Sequence, residues 1–244
     1  FINGLPIVFI ELKNSVVKVE EAYNKNLKDY IKDVPNLFAF NQICVLSNGL
    51  ETRLGAFNAT YDYFFEWLKV ESEKEKVDRK KLKDSDNAKN SSIRYFVDGL
   101  LNKERLLDYI ENFILFENQS VKILAQNHQY FGVNNLIEAT KNRKKLKGKL
   151  GVFWHTQGSG KSYSMVMFAR KVKQKLTGNF TFLIITDRDN LDTQIYKNFV
   201  RTETIGAKDQ CQPKSGAQLR EFLGKNNPFV FTLIQKFQYD KGKK

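Results

Sequence analysis

Residues 150–163 read LGVFWHTQGSGKSY. The apolar run Leu150 to Trp154 predicts a strand, HTQGSGKS a loop, and Tyr163 to Leu176 a helix. A glycine-rich loop between a strand and a helix suits a phosphate group. Glycines let the backbone fold around an anion with its N–H groups turned inward. In that reading Lys161 meets the β- and γ-phosphates, Ser162 ligates Mg²⁺, and the following helix offers its positive N-terminal end. The strict pattern has glycine where His155 stands. Downstream, Phe180 to Thr186 reads as an apolar strand and Asp189 to Val200 as a helix capped by the DRDN stretch. Ser215 to Leu223 is helical, and Phe229 to Ile234 is a further apolar strand. Apolar strands alternating with helices predict a parallel sheet covered on both faces.

Upstream the style differs. Ile7 to Lys13 is a strand entered from a hairpin at Asn3-Gly4. Val19 to Val34 has apolar residues at helical spacing and is stopped by Pro35. Gln42 to Ser47 and Thr52 to Phe57 are short strands around Asn48-Gly49. The aromatic-rich run Tyr61 to Val70 reads as core or cover over a sheet. Helices are expected from Gly99 to Phe116 and from about Val121 through Lys141, with a domain boundary between Phe116 and Lys149. No internal repeat is seen.

Composition narrows the classes. The 244 residues correspond to between one and two domains of ~150 residues. Forty-one per cent hydrophobic residues, with 20 Phe and 10 Tyr, suffice for a buried core and exclude wholesale disorder. Two cysteines, Cys44 and Cys211, cannot build a disulfide scaffold or a four-ligand zinc site, which points to a reducing, cytoplasmic setting. Cys44 reads as a small core hydrophobe and Cys211 as an ordinary loop thiol. His128 and His155 have no metal partners in sequence. No apolar run is long enough to span a membrane, and Phe1 to Ile10 lacks the features of a signal peptide. A chain that starts without Met and in mid-phrase reads as a fragment. The net charge of +13 favours an anionic partner, and its distribution matters more than its sum. Charges nearly cancel from Glu71 to Lys89, as in a solvated loop or frayed helix. Lys141 to Lys149 instead carries six basic residues in nine and no acid, and Lys236 to Lys244 adds three net positives.

A second pattern is Glu11-Leu12-Lys13 at a strand end. Alternation along the strand puts Glu11 and Lys13 on one face with Ile7 and Phe9. A metal-dependent nuclease needs a carboxylate on the ion and a lysine near the attacking water or the scissile phosphate. The same spacing also occurs in solvent-facing charge pairs.

The runs FINGLPIVFIELKN, NHQYFGVNNLIEAT, GVFWHTQGSGKS, FLIITDRDNLDTQ and FTLIQKF occur in that order. Together they resemble the R (restriction and motor) subunit of type I restriction enzymes, over essentially the whole chain. The resemblance implies an α/β chain: a partial PD-(D/E)xK nuclease domain over residues 1–116, then the first part of a RecA-like superfamily 2 helicase lobe over 117–244. Such subunits work with modification and specificity subunits, pull double-stranded DNA with ATP, and cut it away from the recognition site. By this likeness Glu11 and Lys13 are the acid and lysine of the nuclease motif, with Glu11 on Mg²⁺. The family's first aspartate lies upstream of the NGLP turn. Tyr30 matches the tyrosine on the next helix, while Asn26 stands where the family has glutamine. Gln129 resembles an adenine-reading glutamine, and Thr156, Gln157, Gly158, Ser159, Gly160, Lys161 and Ser162 the nucleotide loop. Thr186, Asp187 and Arg188 resemble the next helicase motif, which lies along the DNA track, and Thr232 to Phe237 the strand before the acidic ATPase motif. Arg143, Lys144, Lys145 and Arg188 are the expected DNA contacts, with a solvated linker as the other reading of the basic run. Two other readings stand beside this one: a superfamily 2 helicase with a non-cutting accessory domain, and a non-catalytic DNA- or subunit-docking module with a decayed phosphate loop.

Overall fold

The computed structural model describes residues 1–80, 82 and 91–238. Residues 81 and 83–89 of the near-neutral stretch and 239–244 of the basic tail lie outside the described residues. The chain forms two compact units: Phe1–Phe116 with Ser120–Asn135, and Glu117–Gln119 with Leu136–Lys244.

Unit 1 begins with a tight turn. Asn3 and Gly4 both have positive φ (49° and 80°), and Ile2 and Leu5 exchange two backbone hydrogen bonds of 3.0 and 2.9 Å. This is the two-residue turn whose twist suits a hairpin. The chain continues as β1 (Val8–Leu12), α1 (Val19–Glu21), a π-helical segment (Ala22–Leu27) and α2 (Lys28–Asp33). Strands β2 (Ile43–Ser47), β3 (Thr52–Gly55) and β4 (Phe65–Glu66) follow. The sheet order is β1-β2-β3-β4; β1 runs parallel to β2 and the other pairs are antiparallel. Strand β2 is buried at every position. Val19, Ala22, Leu27 and Phe38 pack with Cys44, Leu46 and Phe64 to form the core beside it. The Cys44 thiol, pushed up to about 12 by burial, is a core group rather than a nucleophile.

Helices α3 (Ser92–Leu100) and α4 (Lys103–Asn112) precede β5 (Ile114–Glu117), β6 (Val121–Leu124) and α5 (Asn127–Lys141). The expected helices at 99–116 and 121–141 are corrected here: each gives up its inner end to a two-stranded β5-β6 sheet. Phe113, Ile114 and Leu115 are all buried, a continuous run that helical and strand periods fit equally well. Left-handed Asn118 and Gln119 make the turn. On β6, Lys122 is buried; its ammonium donates to the Asn41 carbonyl and lies 5.4 and 5.7 Å from the Phe116 and Phe57 ring centres. The aromatic run at 61–70 does supply core: Phe64, Trp67 and Leu68 are buried, while Tyr63 is exposed. The Trp67 ring meets Tyr109, Tyr130 and Phe131. Gly99 lets α3 approach it, because a Cβ there would lie 2.7 Å from the Trp67 indole nitrogen and collide with the Lys69 backbone. Gly99→Ala should cost about 1–3 kcal/mol by overpacking. A urea titration with an unchanged midpoint would show that α3 shifts freely.

Unit 2 holds α6 (Lys161–Lys175), β7 (Phe182–Thr186), α7 (Asp189–Arg201), α8 (Gly216–Gly224) and β8 (Phe229–Leu233). Strands β7 and β8 are parallel, from Phe182 opposite Phe229 to Thr186 opposite Leu233. Two expectations are corrected. Residues 150–154 form no strand, since no neighbour among the described residues pairs with them, and Val152 and Trp154 are 88% and 84% exposed. Coverage on both faces holds for β8, which is buried at four of five positions. On β7, alternate residues Leu183 and Ile185 remain exposed.

Candidate functional sites

In unit 1, Glu11 and Lys13 lie on one face of β1 and form an ion pair of 3.4 Å, with side chains only 15% and 23% exposed. Register fixes them: Glu11 is opposite Leu46, and the Lys13 N–H donates to the Ser47 carbonyl at 2.7 Å. Phe9, on the same face, meets the Tyr30 ring edge-on at 5.5 Å. Tyr30 is thus brought beside the strand that carries Glu11. Asn26 sits inside the π-helical segment, half-buried. Among the described residues no group of three His, Cys, Asp or Glu side chains could hold a metal ion. Glu11 offers one carboxylate, consistent with Mg²⁺ sites completed by phosphate oxygens and water.

Gln129 also belongs to unit 1, at the start of α5. It is buried rather than a surface amide, and its Oε1 accepts the Gln126 N–H at 2.9 Å. A glutamine three residues into a helix that reaches back in this way is half of a capping box. The carbonyl end of this amide therefore holds the helix start.

In unit 2, Gly158 and Gly160 adopt φ of 79° and 75°, which side-chain-bearing residues rarely adopt, and α6 starts immediately at Lys161 with no side-chain cap. The Lys161 ammonium donates to the carbonyls of His155 and Thr156, 2.7 Å each, and the Ser159 hydroxyl donates to Thr156 at 2.7 Å. Thr156, Gln157 and Gly158 are exposed; Ser159 to Ser162 are half-buried. The first N–H groups of α6 precede any intrahelical acceptor. A compact loop, left-handed glycines, a lysine and a helix start fit a polyphosphate with Mg²⁺ at the Ser162 hydroxyl. Beyond β7, the Thr186 hydroxyl donates to Asp192 at 3.3 Å, and Asp192 accepts from Gln212 at 2.7 Å. These bonds hold the turn from which Arg188 projects, 80% exposed and 3.4 Å from Asp187. Gln212 carried no sequence signal for this role.

The basic run continues α5. The Gly148 N–H donates to Arg143 at 2.9 Å and the Lys147 N–H to Lys144 at 3.2 Å, with Lys147 left-handed, a Schellman ending. Lys141 pairs with Glu138 at 2.6 Å, so the run is less free of acids in space than in sequence. The Arg143 guanidinium lies 5.9 Å from the Phe180 ring centre, and Lys144 and Lys145 are exposed.

Residues 1–63 match the family described as the type I restriction enzyme R protein N terminus, and residues 128–244 match that of the SWI2/SNF2 ATPase. The type I restriction enzyme HindI endonuclease subunit of Haemophilus influenzae is 38% identical over 97% of this chain and 23% of its own length. Along nearly its whole length the chain is similar to type I restriction enzyme endonuclease subunits. A putative type I endonuclease subunit of Methanocaldococcus jannaschii, MjaIXP, is 33% identical over 97% of the chain and 24% of its length. A Staphylococcus aureus subunit, SauCOLORF180P, is 26% identical over 96% and 23%. The chain therefore spans about a quarter of the length of these endonuclease-subunit relatives. Among its described residues no helix is long and apolar enough to cross a membrane.

Proposed function

We propose that the chain is the part of a type I restriction enzyme R subunit that holds a partial PD-(D/E)xK-type nuclease domain (1–116) and the first part of a RecA-like lobe of an ATP-driven DNA translocase (117–244). The observation that carries this reading is the loop at 156–162, with its two left-handed glycines placing Lys161 and Ser162 at the open start of α6. In this reading the loop binds ATP, Ser162 holds its Mg²⁺, and Lys161 leaves its two carbonyl partners for the phosphates. Glu11 holds Mg²⁺ at the scissile phosphate of double-stranded DNA, Lys13 stands 3.4 Å from that carboxylate, and Tyr30 closes the same face. When bound, the ion neutralises phosphate charge. The partners are modification and specificity subunits, in the cytoplasm. The decisive experiment is ATP-dependent cleavage of a plasmid by the full-length subunit assembled with those partners. Cleavage that needs neither Lys161 nor Glu11 would refute the reading.

DNA contact is expected through Arg143, Lys144, Lys145 and Arg188. Neutralising Z phosphates lowers log K with log[salt] by a slope of about −0.9Z. Replacing Arg143, Lys144 and Lys145 by alanine should flatten that slope by up to about 3 units without creating sequence preference. Fluorescence anisotropy on one short duplex across a salt series reads it. An unchanged slope would leave the run as a solvated linker.

A further inference from the structure

Residues Glu117–Gln119 form a short strap that belongs to unit 2, although the residues on either side, Phe116 and Ser120, belong to unit 1. The strap is pinned to the end of α7. The Asn118 N–H donates to the Arg201 carbonyl at 2.8 Å, and the Gln119 amide donates to Glu203 at 2.6 Å. Its acid faces two helices. Glu117 is 16% exposed, accepts from the Arg201 guanidinium at 3.1 Å through Oε1, and accepts the Tyr163 hydroxyl at 3.4 Å through Oε2. Tyr163 lies in the first turn of α6, directly after Lys161 and Ser162. One carboxylate thus links the start of the phosphate-loop helix to the end of the helix that follows Arg188.

We infer that Glu117 is a positioning residue for the phosphate loop, holding the first turn of α6 through Tyr163 while Arg201 fixes the carboxylate. The inference rests on the nucleotide-site reading above. Arg201 supplies charge and orientation, and the tyrosine hydroxyl transmits the position to the turn that carries Lys161 and Ser162. The role is in nucleotide affinity rather than in the chemical step, because Glu117 reaches α6 through Tyr163 and is not among the groups read as touching phosphate. Removing it leaves the Asn118–Arg201 backbone bond intact, so the strap stays attached when the tie to α6 is lost.

The test uses the full-length subunit in its complex with modification and specificity subunits and DNA, with steady-state ATP hydrolysis as readout. Glu117→Ala should raise KM for ATP about five- to tenfold, the scale of one lost hydrogen bond, with kcat within about twofold. Tyr163→Phe keeps the ring and should raise KM in the same direction by about two- to threefold, so the inference stays testable if the alanine variant folds poorly. Glu117→Gln keeps an acceptor and should restore KM to within about twofold of the parent. A purely structural strap would instead lower kcat and thermal stability together at unchanged KM, and that result overturns the inference. Unchanged kinetics in both Glu117→Ala and Tyr163→Phe also overturn it. A Lys161→Ala enzyme that hydrolyses ATP like the parent overturns the nucleotide reading and this inference with it.

Discussion

Lys161→Ala is expected to lower kcat/KM for ATP by about 10²–10³ in the full-length subunit, the range seen when one preorganised donor to developing charge is removed. The geometry explains why the loss should be large. This ammonium is held at the loop by two carbonyls, at 2.7 Å each, and sits at the start of a helix whose dipole favours anions. No other lysine or arginine lies between Thr156 and Ser162 to take its place. Stability should change little in comparison, since the side chain is half-exposed. The measurement is ATP turnover with DNA present, beside a melting curve. Turnover within tenfold of the parent would mean that this loop does not cradle the reacting phosphates. Plasmid cleavage should fall in parallel, because translocation precedes cutting in the proposed reaction.

Glu11→Gln should have the complementary result: cleavage reduced by about 10³ or more, with ATP hydrolysis within about twofold of the parent. Losing a metal carboxylate forfeits several kcal/mol of charge stabilisation, and about 4 kcal/mol corresponds to three decades in rate. The fold should tolerate the change. Glu11 is isosteric with glutamine, and the partly exposed pair with Lys13 contributes at most about 1 kcal/mol. Supercoiled plasmid, assayed for both nicks and ATP consumption, separates the two activities. Cleavage that survives Glu11→Gln would place the cutting centre elsewhere.

Much of the frame was legible in the residues themselves. Asn3-Gly4 and Asn48-Gly49 announced turns, and Asn3, Gly4 and Gly49 do take left-handed backbone; the helix after 188 begins at Asp189 as expected, whereas that after 160 begins at Lys161, two residues before the expected Tyr163. The hairpin at 114–124 was not legible. A buried run such as Phe113 to Leu115 has no period of its own, and the burial of Lys122 depends on the Asn41 carbonyl, far away in sequence, which accepts a hydrogen bond from its ammonium. Residues 150–154 failed for the opposite reason: they have the side chains of a strand, but a strand exists only where a neighbour pairs with it. At the sites, local spacing could mark Lys161 and Glu11. It could not show that the Gln129 carbonyl caps a helix. Nor could it find Glu117, whose partners lie 46 and 84 residues along the chain.

The widened turn at Ala22–Leu27 has a consequence for how the region tolerates change in length. An α-helix advances about 100° per residue. Were the same residues wound as regular helix, everything after Leu27 would turn by about that angle, carrying Tyr30 away from Phe9. The slack turn acts as an angular spacer, absorbing one residue more than a regular helix would hold. Loss of a single residue inside it can be taken up by rewinding, leaving Tyr30 in place. The same loss from Lys28 or Asp29 would swing the tyrosine off its strand.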